Sequence, residues 1–210
     1  MSSLLDTRTK IIMNYAGWTA LSALRRSPVK SRAETYPLLD RVRFAELFGR
    51  DGTPIRPEAF SNWHREATSE IRSLQPKLCV GWAVKLINMY LKTAAYVGDL
   101  GRPGLRELLH PPIDGGLWDG IKRWIGKINL PKSKKRILLG KTHAKRRIKL
   151  IEGYDTYETI INGCREVAKI IAAVTKVSCL LVEVDQLWEG GSAKTASDSV
   201  SAAPNGSSPG

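Results

Sequence analysis

From Leu78 to Val97 the chain reads LCVGWAVKLINMYLKTAAYV, its longest nearly continuous apolar run, broken only by Lys85, Asn88, Lys92 and Thr93. A helix turns about 100° per residue, so positions 85, 88 and 92 fall within roughly 60° of one another. The run predicts a helix that is apolar over most of its surface, with one narrow Lys–Asn–Lys stripe. That is the pattern of a central helix covered on nearly every side, with the stripe as its one solvated face. A stretch of about 20 residues is long enough to cross a bilayer. The two lysines oppose that, each costing about 2.5–3.5 kcal/mol near the middle of a span. No second apolar run of comparable length exists to shield them, so the expectation is a soluble core helix and no membrane partner.

The surrounding sequence predicts more helices. Ile11, Ile12, Tyr15, Trp18 and Leu21 give an apolar face to a first helix over 7–25, which Ser27 and Pro28 end. A basic connector, VKSRAETYP, leads to a short helix over 38–48, and GRDGTPIRP is a loop. Phe60, Trp63, Ala67, Ile71 and Leu74 then recur at helical spacing on a single face, closed by Pro76. Beyond the central run come a turn or so of helix at LRELLH and an extended His110-Pro111-Pro112-Ile113-Asp114 segment. A helix follows near Leu117–Ile125, with Asp114 as its cap. Tyr157, Ile161, Cys164, Ala168, Ile171 and Leu181 place a last helix between about Tyr154 and Trp188, although VSCLLVEV within it carries strand-like residues. The expected fold is all-α, one helical domain over 1–189 with six or seven helices, followed by a disordered tail over 190–210. The tail, GGSAKTASDSVSAAPNGSSPG, holds nothing able to fill a core.

The spacing of GWAVKLINMYLKT, LHPPID and YDTYETIINGCRE resembles that of a loose group of uncharacterised bacterial helical proteins. Shared features are a Gly-x-Ala-x-Lys-x-x-Asn-Met-x-x-Lys helix, a Leu-His-x-Pro-Ile-Asp loop and a late helix opening on a Tyr-Asp-x-Tyr-like motif. The matching residues are Gly81, Ala83, Lys85, Asn88, Met89, Lys92, His110, Pro112, Ile113, Asp114, Tyr154 and Asp155. The resemblance implies a bacterial helical domain over roughly 60–188 and brings no activity with it.

Charge is the strongest functional signal. The net charge is +13, and the segment from Ile121 to Ile151 holds twelve of the 33 bases and none of the 20 acids. They are Lys122, Arg123, Lys127, Lys132, Lys134, Lys135, Arg136, Lys141, Lys145, Arg146, Arg147 and Lys149. The rest of the chain is almost neutral. Clustered Lys and Arg attract phosphate backbones without regard to sequence, and Trp118 and Trp124 stand where they could stack on unpaired bases. A non-enzymatic protein that binds RNA or DNA through this segment is the leading expectation.

Two alternatives come from other classes. One is a metal-independent ribonuclease. Arg136 and His143 fit an Arg-x6-His pattern resembling the catalytic motif of HEPN-type ribonucleases, though Gly140 between them argues against one continuous helix. His110 with Asp114 is a second candidate catalytic pair, able to meet the Lys85–Asn88–Lys92 stripe in space. The other alternative is an interaction module for an acidic protein.

No cofactor or metal is expected. His64, His110 and His143 are widely separated, and there is no HxxxH or CxxC. The GKTH at 140–143 has Lys135 where a phosphate loop needs glycine. Cys79, Cys164 and Cys179 lie in or beside apolar runs, which suits free thiols in a reducing, cytoplasmic setting. The N-terminus lacks the pattern of a secretory signal, while six bases against one acid in residues 1–33 leave a mitochondrial leader open. Removing residues 191–210 is expected to leave the melting temperature unchanged, because the tail has no apolar groups to bury. A scanning thermal melt of the truncated chain checks this.

Overall fold

The computed structural model describes residues 2–49 and 52–188, with side chains from residue 7 onward. The tail expected from Gly190 lies outside the described residues. Eight α-helices carry the described chain: α1 (Ser2–Ala23), α2 (Arg32–Arg41), α3 (Pro57–Leu74), α4 (Val80–Leu91), α5 (Leu105–Leu108), α6 (Gly115–Lys127), α7 (Lys132–Thr142) and α8 (Tyr154–Thr175). Short 3-10 turns at Phe44–Leu47, Ile148–Leu150 and Leu181–Leu187 complete the set. Among the described residues there is no strand, only an isolated antiparallel bridge between Phe48 and Gly101. No helix of the described residues is long and apolar enough to cross a membrane.

The chain is all-α, with slightly more helices than the six or seven expected. The basic segment supplies the extra one. Pro131 sits just outside α7, where its missing N–H costs nothing, and the helix runs through Gly140 without a break. The expectation that Gly140 interrupts a helix there is therefore corrected.

α4 is the centre. Every residue of it except Met89 is buried, and α1, α3, α8 and the Ile148–Leu150 turn all pack against it. Each fully buried Leu or Ile here contributes about 1.5–3 kcal/mol. The helix continues through a π-helical turn over Lys92–Val97, in which the Gly98 N–H reaches back to the Thr93 carbonyl at 2.9 Å. Close approach at one point is backbone on backbone. A Cβ on Gly81 would stand 2.2 Å from the Ile148 carbonyl oxygen, and the Gly81 N–H donates to the Ile151 carbonyl at 2.9 Å. The far end of the basic segment is thus fastened to the central helix.

α3 buries Phe60, Trp63, Ala67 and Ile71 as the spacing predicts, although Leu74 at its end is exposed. α1 does not bury the face expected of it. Ile11, Tyr15 and Trp18 are exposed, and Ala16 and Ala20 face inward, followed by Leu24 just past the helix end. Small side chains let α1 approach α4 closely, which the bulky set would prevent. α2 begins six residues before the expected start. Ser31 and Glu34 form a capping box there, and Pro37 is tolerated inside the helix.

The last helix is also shorter than expected. α8 stops at Thr175, Lys176 takes a left-handed conformation at φ 61°, and the chain runs extended to the Leu181–Leu187 turn. That turn folds back onto α6. A Cβ on Gly120 would fall 1.6 Å from the Leu187 carbonyl oxygen.

Gly140 and Gly120 should therefore respond oppositely to alanine. Nothing lies within 4 Å of a Cβ at Gly140, so Gly140→Ala should stabilise the protein by about 0.5–1 kcal/mol. Gly120→Ala must displace backbone and should cost about 1–3 kcal/mol or more. Urea unfolding of the two variants measures both signs, and a destabilised Gly140→Ala would count against a continuous α7.

Candidate functional site

The bases of Ile121–Ile151 are carried by α6, by α7, where five of eleven residues are basic, and by the turn after it. Lys135 donates to the Gly126 carbonyl at 3.0 Å, Lys141 pairs with Glu166 at 2.6 Å, and Arg123 is also engaged. The other nine, Lys122, Lys127, Lys132, Lys134, Arg136, Lys145, Arg146, Arg147 and Lys149, are exposed. Their side chains make no hydrogen bond or ion pair among the described residues. The aromatic residues do not join them as expected. Trp118 is buried and its indole N–H donates to the Thr142 carbonyl at 2.9 Å, so it is no stacking platform. Trp124 is half-buried against the core.

Arg136 and His143 share no hydrogen bond among the described residues. His143 closes α7, where its Nε2–H donates to the Trp118 carbonyl at 2.9 Å and its Nδ1 lies 2.8 Å from the Thr142 hydroxyl. Burial, reinforced by Arg146 and Lys122, holds its pKa below the ordinary value even though the bond to Trp118 opposes this. Nε2 is spent on the Trp118 carbonyl and Nδ1 faces the Thr142 hydroxyl, which also reaches the Leu138 carbonyl, an arrangement that fits a helix-end fastener.

The Lys85–Asn88–Lys92 stripe is not solvated, as it was expected to be. Lys85 and Asn88 are buried, and the three residues take separate partners. Lys85 pairs with Asp114 at 3.1 Å, and Lys92 pairs with Asp185. Asp114 caps α6 by accepting from the Leu117 N–H at 3.0 Å, and it also accepts from the Trp188 indole at 2.9 Å. Both of its carboxylate oxygens are engaged in structural bonds. Burial raises the Asp185 carboxyl despite the Lys92 ammonium beside it. These two ion pairs line a cleft of about 920 Å³ together with Trp18, Trp82 and Trp188. His110 is turned elsewhere and makes no bond to Asp114, so that expected pair is not formed either.

His110 instead ends a buried chain of polar side chains that joins α3, α4, the 109–114 loop and α8. His64, Asn88 and Tyr157 are at most 1% exposed and His110 is 6% exposed or less. Each link in the chain has a definite direction. Asn88 Nδ2 donates to the Pro111 carbonyl at 3.3 Å, and a carbonyl can only accept, so the amide orientation is fixed. Asn88 Oδ1 then accepts from His64 Nε2–H at 2.9 Å, which leaves His64 Nδ1 to accept from the Tyr154 hydroxyl at 2.7 Å. The second Nδ2 hydrogen of Asn88 goes to the Tyr157 oxygen at 2.9 Å. The Tyr157 hydrogen has one acceptor left, His110 Nδ1 at 2.8 Å. His110 Nε2 must carry the remaining proton.

The rings stack as well as bond. His64 and Tyr157 lie 5.5 Å apart and within 6° of parallel, and the two imidazoles are 5.0 Å apart. Burial pushes every titratable member toward its neutral form. His64 falls to about 4, and His110 falls well below its ordinary value, with His64 and Arg165 adding to the effect. Tyr157 rises well above its usual range. The sequence signal for this chain was slight: His64 and Thr68 interrupt the buried face of α3, and Tyr154 and Tyr157 stand three apart at the start of α8.

Cys164 is buried, with its thiol pushed up to about 12 by burial, while Cys79 and Cys179 are half-buried and free. Among the described residues no group of three or more His, Cys, Asp or Glu side chains could hold a metal ion. The chain matches no family model, no curated protein and no solved structure.

The buried imidazoles set the acid response of the fold. A histidine whose pKa is depressed on folding contributes stability that is present above about 6.5 and is lost as pH falls toward the folded value. For His64, between 6.5 and about 4, the loss corresponds to about 3 kcal/mol, and His110 adds to it in the same direction. Urea unfolding at pH 7.5, 6 and 5, above most carboxylate titration, should show stability falling with each step. A flat profile would show the imidazoles titrating alike in the folded and unfolded chain.

Proposed function

We propose that this chain is a non-enzymatic binder of nucleic-acid backbone, with RNA or DNA held against α6, α7 and the turn to Ile148. One observation carries the reading: nine exposed cations, without partners among the described residues, sit in a segment that contains no acid. Nine such cations within about thirty residues repel one another unless a polyanion neutralises them. Helix placement supports the reading too, because α7 packs along α8 and the Ile148–Leu150 turn that ends the basic segment is tied to α4 through Gly81. A rigid array loses little conformational entropy when it meets a regular backbone. With Trp118 buried and Trp124 half-buried against the core, base stacking contributes little there, so phosphate contact dominates and sequence preference should be weak. The bacterial, cytoplasmic setting expected from the sequence belongs to the same proposal.

The ribonuclease alternatives gain no support, since neither His143 with Arg136 nor His110 with Asp114 shares a hydrogen bond among the described residues. Binding to an acidic protein uses the same charges and is separated by its outcome below.

Fluorescence anisotropy with a labelled duplex tests the reading. With about six to ten phosphates neutralised, affinity should fall by about 10³–10⁵ between about 50 and 200 mM salt. Reversing Lys134, Arg136, Arg146 and Arg147 to Glu should abolish binding and leave the circular dichroism spectrum unchanged, because all four are exposed and have no partner among the described residues. Unchanged affinity and salt slope in that variant would overturn the reading. Retention on an acidic polypeptide but not on duplex would move the partner to the protein class.

A further inference from the structure

The polarity of the buried chain has an open end. His110 Nε2–H looks into a cleft of about 670 Å³ whose lining includes Glu58, Ser61, Glu107, Arg165 and Lys169. The Arg165 Nη2 lies 3.4 Å from His110 Nε2. That contact would be a hydrogen bond only if Nε2 were the acceptor. His110 Nδ1 would then carry the proton and donate to Tyr157, whose oxygen already receives Asn88. The Tyr157 hydroxyl hydrogen would be left without an acceptor in a fully buried position, at a cost of about 1–3 kcal/mol. A link of 3.4 Å is too long to repay that. The consistent arrangement is two donors, His110 Nε2–H and Arg165 Nη2–H, converging with no acceptor between them.

Lys169 stands one helical turn beyond Arg165 on α8, on the same face. Arg165 keeps its other terminal nitrogen on Asn162 at 2.6 Å, which orients the guanidinium. Converging donors on a buried imidazole, an anchored arginine and a lysine form a site for an oxyanion. Glu58 and Glu107 are exposed lining residues, and they disfavour a polyanion lying along the cleft while leaving room for a single charged head. Lys169 also lines the neighbouring groove between α7 and α8, beside Lys134. The cleft therefore opens next to the basic face.

We propose that the His110–Arg165–Lys169 cleft binds one phosphate group, carried either by a small molecule or by the end of a nucleic-acid strand lying on the basic face. The strand-end source rests on the function proposed above; the phosphate site itself does not.

The test is nitrogen NMR of the imidazoles in the full-length protein, which reports tautomer and ligand together. His110 should be neutral with its proton on Nε2. Titration with inorganic phosphate, against potassium chloride at equal ionic strength, should move His110 Nε2 saturably while His143 stays still. Arg165→Ala, a change at an exposed residue, should weaken the response at least tenfold. Tyr157→Phe touches nothing in the cleft, yet by freeing His110 to take the other tautomer it should also weaken phosphate binding several-fold. Arg136→Glu should leave it unchanged. A proton on Nδ1 in the unliganded protein, a response to chloride equal to that to phosphate, or a full response in Arg165→Ala would each overturn the proposal. A 5′-phosphorylated oligonucleotide and its 5′-hydroxyl form then separate the sources. A His110 response to the phosphorylated form alone supports the strand end. A response to inorganic phosphate and to neither oligonucleotide supports a small phosphate ester.

Discussion

A single carboxamide, that of Asn88, sits where α3, α4, α8 and the 109–114 loop meet, and all of its hydrogen-bonding groups are used on protein partners. In an apolar helix buried on nearly every side, one uncompensated amide would cost a large part of the stability of a domain this size. The four elements are consequently held in one relative placement, since moving any of them strands a donor or acceptor. Apolar packing around Leu86, Ile87 and Leu91 drives the collapse without direction. The amide and its partners select which collapsed arrangement survives.

Much of this fold was legible from spacing, and its misreadings have physical causes. α3 and α4 follow from the recurrence of large apolar residues because both bury large side chains. α1 was misread because its buried face is made of Ala16 and Ala20, which hydropathy weights lightly, while the eye is drawn to Tyr15 and Trp18 on the outside. Helix-on-helix distance decided the matter, and distance is not written in the periodicity of one segment. The stripe on α4 posed a related difficulty. Polar residues at helical spacing look alike whether they face water or meet Asp114, His64 and Asp185, and those partners arrive from far along the chain.

The candidate sites divide in the same way. The basic face could be seen from composition, because exposed cations need no partner to be recognised. The imidazole chain could not, because it depends on contacts spanning up to 90 residues between His64 and Tyr154. The two histidines proposed as catalytic candidates proved to be occupied differently from one another. His143 turns one nitrogen to Trp118 of α6 and the other to Thr142 of α7, whereas His110 spends one nitrogen inside the core and presents the other to a cleft. Together the basic face and the cleft give α8 two exposures, one packed under α7 and one beside α3, with Lys169 bordering both.

The one-way order of hydrogens from Tyr154 to His110 also constrains how this protein can change over evolutionary time. Each member of the chain is acceptable only while its neighbour offers the complementary group. Exchanging one for a residue of similar shape turns the next donor against another donor. Substitutions at His64, Asn88, Tyr157 and His110 should then be penalised singly and tolerated in combination, so the group is inherited as a block. A descendant lineage that remodels the cleft would meet this barrier in the core before it met any at the surface.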